Sequence, residues 1–284
     1  DAGTAITEGS QNTVVGYQAL AANTTGNYNV AIGRKSAYTN TTGSENIAIG
    51  RNSFHNNTTG SSNVAVGYEP LRYNTTGDSN VAIGKTALYL NTTGAKNIAI
   101  GENALDSNTT ASYNTAVGYD SLQANTTGQS NTGLGYKAME GNTTGGSNTS
   151  LGYYALAGNT TAGNNVAVGS DALAANTTGA YGTGIGQGAL TSNTTGEYNT
   201  AVGRNALAAN TTASHNTSVG TNSMDANTTG NGNTGLGKNT LGANTTADYN
   251  TAVGYHSLAT NTTGTLNTAI GGHTLASNTT ASNN

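Results

Sequence analysis

Aliphatic, small and polar positions recur along the chain at a fixed spacing of 17 residues, with no insertion or deletion. Aligned from Asn12, the unit reads Asn–(Thr/Val/Ile)–Ala–(Val/Ile/Leu)–Gly–x–x–(Ala/Ser)–Leu–x–x–Asn–Thr–Thr–Gly–x–x. Position 1 is Asn in every unit but one, where Gly182 stands. Position 4 is always aliphatic, as at Val15, Ile32, Ile49, Leu134 and Ile270, and glycine follows it in all sixteen units, from Gly16 to Gly271. Position 9 is Leu or a near-equivalent (Leu20, Phe54, Met139, Met224), with one Ala at Ala37. A short fixed period specifies one structural unit stacked on itself, and each unit then needs only its neighbours for stability.

The pattern predicts strands. Seventeen residues are too few for a repeating helix pair. Each unit carries two or more small turn-forming residues, and a glycine inside a helix costs about 1 kcal/mol relative to Ala. The β-branched run at positions 2–4 suits a strand, and a second short strand around the Ala–Leu pair is expected to complete the coil. The Asn–Thr–Thr–Gly run is turn chemistry, with glycine supplying φ > 0. The glycine after each aliphatic, Gly118 among them, is expected at a corner where a Cβ collides or φ is positive.

Apart from Asp1 and Glu8, every charged residue falls at position 6, 7, 10, 16 or 17. Buried unpaired charge is costly, so these positions are expected to face water. Positions 4 and 9 are then left to carry the core, which predicts burial of Val66, Ile83, Ile100, Leu71, Leu88 and Leu105. The fold predicted is all-β: a parallel β-solenoid of sixteen 17-residue coils over residues 12–284, preceded by a degenerate part-coil at residues 1–11. At one strand spacing per coil it would form a rod of roughly 75–80 Å. Stacking places like over like, so the asparagines can hydrogen-bond along the axis as ladders.

The strings Asn29–Gly33 (NVAIG), Asn46–Gly50 (NIAIG), Asn63–Gly67 (NVAVG) and Asn80–Gly84 (NVAIG) resemble the head repeats of trimeric autotransporter adhesins of the YadA type. The later form, Thr–Ala–Val–Gly–Tyr followed by Leu and Asn–Thr–Thr–Gly, also resembles repeats in phage-tail-like fibres that carry a self-cleaving chaperone domain. The resemblance spans residues 12–284. It implies a left-handed β-roll, often trimeric, used in adhesion or as a shaft.

The coils vary along the chain. Position 2 is mostly apolar early (Val30, Ile47, Val64, Val81, Ile98) and mostly Thr later, which suggests a wetter face in the later coils. Gly133, Gly184 and Gly235 occupy position 3 at a 51-residue step, and Ala111, Ala162 and Ala213 replace the turn glycine at the same step, as duplication of three-coil blocks would produce. The chain begins at Asp1 without a signal peptide and reads as a processed product or a fragment. It closes at Asn284, the first position of a seventeenth unit, with no charge after Asp248. Solenoid ends without caps are open strand edges, so end-to-end stacking of Asn284 against the 1–11 segment of another copy is expected.

The apolar fraction of 34% is below that of ordinary globular domains. Nine basic and thirteen acidic residues give no electrostatic footprint for nucleic acid, and no lysine cluster suits an anionic membrane. There is no cysteine. No apolar run approaches the roughly 20 residues of a membrane span.

Several motifs invite a chemical reading. Gly182–Gly188 (GTGIGQG) imitates a phosphate-cradling loop, but the repeat register explains its glycines and no helix is expected to follow. His55, His215, His256 and His273 lie at positions 10, 17, 7 and 7. His256 and His273 should stack one coil apart, yet no carboxylate or cysteine recurs beside them to make a metal site. No Asp repeats as the calcium-binding nonapeptide of other β-rolls demands, and no catalytic constellation converges. Hence no metal, cofactor or active site is expected.

Tyr17, Tyr68, Tyr119, Tyr136, Tyr153 and Tyr255 share position 6, and Tyr28, Tyr113, Tyr181, Tyr198 and Tyr249 share position 17. They read either as an adhesive, glycan-stacking or subunit-contact stripe or as ordinary strand-edge tyrosines. Each Asn–Thr–Thr is also an N-glycosylation sequon. The candidate acceptors are Asn23, Asn40, Asn57, Asn74, Asn91, Asn108, Asn125, Asn142, Asn159, Asn176, Asn193, Asn210, Asn227, Asn244, Asn261 and Asn278, although turn geometry explains the run as well.

These features predict an extracellular or cell-surface structural fibre or adhesin shaft, partnered with itself head to tail or as a trimer, with host surfaces or glycans as further partners. The alternative is an ice-binding solenoid that orders water on Thr rows. No membrane insertion is expected.

Overall fold

The computed structural model describes all residues 1–284. The chain is all-β, with sixteen parallel three-residue strands stacked as a β-solenoid and no helix, and hence none long and apolar enough to cross a membrane. It divides into two compact units, Asp1–Thr144 and Gly145–Asn284. The first holds β1 (Thr13–Val15), β2 (Val30–Ile32), β3 (Ile47–Ile49), β4 (Val64–Val66), β5 (Val81–Ile83), β6 (Ile98–Ile100), β7 (Thr115–Val117) and β8 (Thr132–Leu134). The second holds β9 (Thr149–Leu151), β10 (Val166–Val168), β11 (Thr183–Ile185), β12 (Thr200–Val202), β13 (Thr217–Val219), β14 (Thr234–Leu236), β15 (Thr251–Val253) and β16 (Thr268–Ile270). Inside each unit the strands pair in chain order, residue on residue at the 17-residue offset: Val30 with Ile47, Ala31 with Ala48, Ile32 with Ile49, and in the second unit Val166 with Thr183. Residues 1–11 form no strand but stack on the first coil, through Gly3 N–H to the Ala19 carbonyl at 2.9 Å and Glu8 N–H to that of Thr24 at 3.0 Å.

The core corrects the expectation at position 4. In a strand, neighbouring side chains point to opposite faces. Ala31, Ala48, Ala65, Ala82 and Ala99 at position 3 point inward and are fully buried, so positions 2 and 4 must point outward. Ile83 and Ile100 are exposed and Val66 is half-exposed. The coil is too narrow to admit much more than a methyl group at position 3, where Ala, Gly or Ser stands in every coil but the first, which has the half-buried Val14. Where Ser stands, its hydroxyl is bonded, as from Ser150 to the Ala155 carbonyl at 2.6 Å. Position 9 fills the interior as expected, and Leu71, Leu88 and Leu105 have no exposed surface.

The second strand does not form. Positions 6–11 are turns, because positions 7 and 9 both adopt left-handed backbone: Thr86 and Leu88 have φ of 54° and 51°. An L-residue there is strained by roughly 1–2 kcal/mol, but the conformation aims Leu88 into the core and its N–H at the Ala104 carbonyl of the next coil, 2.9 Å away. The glycines after each aliphatic behave as expected: Gly84 has φ +137°, and a Cβ on it would lie 2.5 Å from the Gly101 carbonyl oxygen. The turn glycines do not. Gly26, Gly43 and Gly60 have no positive φ, and the left-handed residue falls two later, at Tyr28, Glu45 and Ser62.

Two buried asparagine ladders line the interior. At position 12, Asn40 donates from Nδ2 to Asn23 Oδ1 at 3.0 Å, and Asn57 to Asn40 at 2.7 Å. At position 1, the Asn63 backbone N–H donates to Asn46 Oδ1 at 3.0 Å, while Asn63 Nδ2 reaches the Gly77 carbonyl at 2.9 Å. These ladders satisfy amide groups that would otherwise be buried unpaired.

Candidate interaction surface

Each strand presents two side chains outward. The position-4 column runs Ile32, Ile49, Val66, Ile83, Ile100 in the first unit, and Ile47 and Ile98 beside it are 38% and 39% exposed. In the second unit the position-2 column is Thr149 and Val166 followed by Thr183, Thr200, Thr217, Thr234, Thr251 and Thr268, next to aliphatics such as Ile185 and Leu236. No charged residue occurs at positions 1–5 of any coil. The result in each unit is a regular, uncharged strand face.

Charges and rings border this face. Position 6, two residues past each strand, and position 17 of the preceding coil, two residues ahead of it, are mostly exposed, and position 16 is mostly half-buried. Lys96 lies over Tyr113 at 5.3 Å and Arg51 over Tyr68 at 5.5 Å. Tyr181, Tyr198 and His215 form one stacked column, with centroids 4.9 and 5.1 Å apart and planes within 5°. Tyr119 and Tyr136 stack likewise at 5.4 Å. A ring in such a column has its faces covered by neighbours. It offers its edge and hydroxyl to a partner, not the open face that sugar stacking uses.

Position 7 is not a uniformly solvated position. Glu69 and Asp120 are buried, a correction to the expectation for charged positions. Each is bonded along the stack: Asn52 Nδ2 to Glu69 at 2.8 Å, and Asn103 Nδ2 to Asp120 at 2.9 Å. Burial alone would raise the Glu69 carboxyl, but bonds from Asn52 and from Arg72, whose guanidinium is 2.5 Å away, outweigh it and hold the carboxyl below its ordinary value.

The other sequence candidates are placed as follows. Fifteen of the sixteen sequon asparagines are buried, and Asn278 is partly so. The nitrogen that would carry a glycan is the ladder donor; Asn91 Nδ2, for example, is bonded to both Asn74 Oδ1 and the Gly94 carbonyl. Attachment to a folded coil would break both bonds. In Gly182–Gly188 three glycine amides are already used, Gly182 N–H by Asn165 Oδ1 at 2.7 Å, Gly186 by the Val168 carbonyl at 2.7 Å and Gly188 by that of Ser170 at 3.0 Å. These three do not converge on a phosphate.

His256 and His273 do stack, 5.5 Å apart, with Asn239 Nδ2 2.9 Å from His256 Nε2. His55 stacks on Tyr38 at 5.1 Å. No three His, Asp or Glu side chains meet within reach of one metal ion. In the turn, the first threonine is tied down, as Thr75 Oγ1 donates to the Thr92 carbonyl at 3.1 Å, and the second is exposed.

Sequence reasoning missed the strand face, because it assigned position 4 to the core. The signal that locates the face is size: small residues at position 3 in every coil after the first, between larger aliphatic or Thr residues. Neither unit carries a surface cavity. Comparison with protein-family models, curated proteins and solved structures returns no match to this chain.

Proposed function

We propose that the chain is a structural fibre or adhesin-shaft segment of an extracellular or cell-surface assembly, and that it associates with copies of itself through the strand face. The observation that carries the reading is that face: two outward columns of aliphatic and Thr side chains, repeated on every coil without one charge. Exposed apolar patches larger than a few hundred Å² on soluble proteins mark interaction sites. Thirteen of the sixteen outward strand side chains of the first unit are aliphatic, and Ile47, Ile49, Ile83, Ile98 and Ile100 among them are exposed. Stacked coils with their polar interior groups paired also suit a load-bearing element. Sedimentation and electron microscopy of the chain test this. Multimeric or bundled particles are expected, and dispersed monomers at high concentration overturn it.

A second reading, ice binding, is favoured by one observation: the unbroken row Thr183 to Thr268 on the strand face of the second unit. Those threonines suit it better than the turn threonines, whose first member is hydrogen-bonded. Thermal hysteresis with faceted ice crystals would establish it, and its absence would remove it.

A further inference from the structure

We infer that Tyr73 and Tyr89 form a modification site, at which a haem peroxidase and hydrogen peroxide join the two rings as a dityrosine and staple one coil to the next. The inference goes beyond the strand-face reading and does not depend on it, since neither residue lies on a strand.

The two tyrosines stand where the fold does not require them. In the second unit, positions 10 and 11 of the repeat hold only Ala, Gly, Ser and Thr, apart from Asp225. Tyr73 is the only tyrosine at position 11 of any coil, and Tyr89 follows at position 10 of the next. Tyr73 N–H donates to the Tyr89 carbonyl at 3.1 Å, and Ala209 N–H makes the equivalent bond to the Asp225 carbonyl at 3.1 Å. Small residues therefore close the coil as well as the rings do.

The backbone bond runs diagonally, from position 11 of one coil to position 10 of the next, and the two rings meet edge to face. Their centroids are 5.1 Å apart and their planes cross at 89°. Pairs one full repeat apart lie flat instead, Tyr119 on Tyr136 at 10° and Tyr181 on Tyr198 at 3°. Edge-to-face rings at this separation touch, with carbons roughly 3.5–4 Å apart. The hydroxyls are close as well. Burial, and then the Tyr73 hydroxyl, hold the Tyr89 phenol above its ordinary value of 10.0. The Cε carbons that flank each hydroxyl are thereby brought together. Tyr73 is exposed and Tyr89 half-buried. The Arg72 guanidinium covers the Tyr73 ring at 5.6 Å and is itself held by Glu69, which fixes the exposed ring in place.

The chemistry balances. Peroxide oxidises the haem, and the haem takes one electron from the exposed Tyr73 while its phenolic proton leaves to water. Tyr89 passes its hydroxyl hydrogen atom to the Tyr73 radical, and the restored Tyr73 phenol is oxidised a second time. The two phenoxyl radicals then pair their electrons in a Cε–Cε bond. Each ring regains aromaticity when the hydrogen on its bonded carbon leaves as a proton and a proton returns to the oxygen. Two phenols and one peroxide give one dityrosine and two waters. The new bond must lie in the plane of both rings. In the edge-to-face pair one rim already points at the other ring, and the broad χ2 torsion of tyrosine lets the second ring tilt into line. A flat stack requires both rings to turn.

The test treats the intact chain, at low concentration, with a haem peroxidase and limiting hydrogen peroxide. The single-chain product is isolated, denatured and digested with trypsin. Cleavage after Arg72, Lys85 and Lys96 leaves each tyrosine alone on its own peptide, Tyr73–Lys85 and Thr86–Lys96. These two peptides are expected to be joined, lighter than their sum by two hydrogens and fluorescent as dityrosine. Tyr73→Phe and Tyr89→Phe keep the rings but remove the hydroxyl, and each should abolish the joined pair. The linked chain should unfold at a higher urea concentration than the oxidised Tyr73→Phe chain, because a crosslink constrains the unfolded state. Oxidation in urea should scatter the links over other tyrosines. No link in the folded chain, other peptides joined in its place, or an equal yield of this pair in urea overturns the inference. Sedimentation of the untreated chain tests the strand-face reading separately, so either can fail alone.

Discussion

Asn91 Nδ2 donates to Oδ1 of Asn74, one coil earlier, at 2.8 Å, and both residues are fully buried. Asn108 repeats the contact onto Asn91 at 2.8 Å. Removing one member therefore orphans a donor on one side and an acceptor on the other. Each buried unpaired group costs about 1–3 kcal/mol, so Asn91→Ala should destabilise by roughly 2–4 kcal/mol. Asn91→Asp keeps an acceptor but cannot donate unless protonated. Its folded pKa would lie above the unfolded value of about 3.9, so the penalty grows as pH rises through that range. Melting curves of both variants at acid and neutral pH check this; an Asp variant equally stable at both would refute it.

Two glycine positions separate backbone conformation from space. A Cβ on Gly84 would meet the Gly101 carbonyl oxygen at 2.5 Å, and a Cβ on Gly60 would meet that of Gly77 at the same 2.5 Å. Crowding alone predicts equal effects. Yet only Gly84 has a left-handed φ, +137°, and the chain itself places Ala111, Ala162 and Ala213 at the position of Gly60. Gly84→Ala should cost about 3 kcal/mol, and Gly60→Ala no more than about 1 kcal/mol. A similar loss of melting temperature in the two would show that the contact, not the dihedral, is decisive.

The period, the corner glycines, the Leu88-type core and the asparagine ladders were legible in the sequence, because each needs one residue type at one place. The strand's orientation was not. Ile83 is apolar, and apolarity suggests burial, but the 17-residue coil has room for Ala82 and not for Ile83. The left-handed residues were equally hidden. Leu88, Thr86 and Glu45 hold positive φ because of where their side chains and N–H groups must reach, not because the residue type favours it.

The inverted strand makes its own prediction. Ala82→Val forces two extra methyl groups into a filled interior and should cost about 1–3 kcal/mol. Leu88→Ala should cost about 2–5 kcal/mol by leaving a cavity. Ile83→Thr, on the outward face, should leave the melting temperature of the dissociated chain nearly unchanged while weakening self-association. If Ile83→Thr destabilised the dissociated chain as much as Leu88→Ala, position 4 would belong to the core after all.

Acid titration should reveal two carboxylates of opposite effect. Burial, and then the nearby Asp120 charge, raise the Asp106 carboxyl above its ordinary value of 3.8. A folded pKa above the unfolded one means that ionising Asp106 opposes folding, so stability is lost as pH rises through this range. Asp106→Asn removes that loss and should raise the melting temperature at pH 7, with no gain below the ordinary value. Glu69 is the reverse case. Its carboxyl is lowered from 4.5 despite burial, because Asn52 and Arg72 bond the charged form. Its stabilisation is present above 4.5 and lost as pH falls through the folded value. Glu69→Gln should therefore lower the melting temperature at neutral pH and converge on the parent in acid. Melting curves between acid and neutral pH should show the two variants departing from the parent in opposite directions, and deviations of the same sign would refute the assignment.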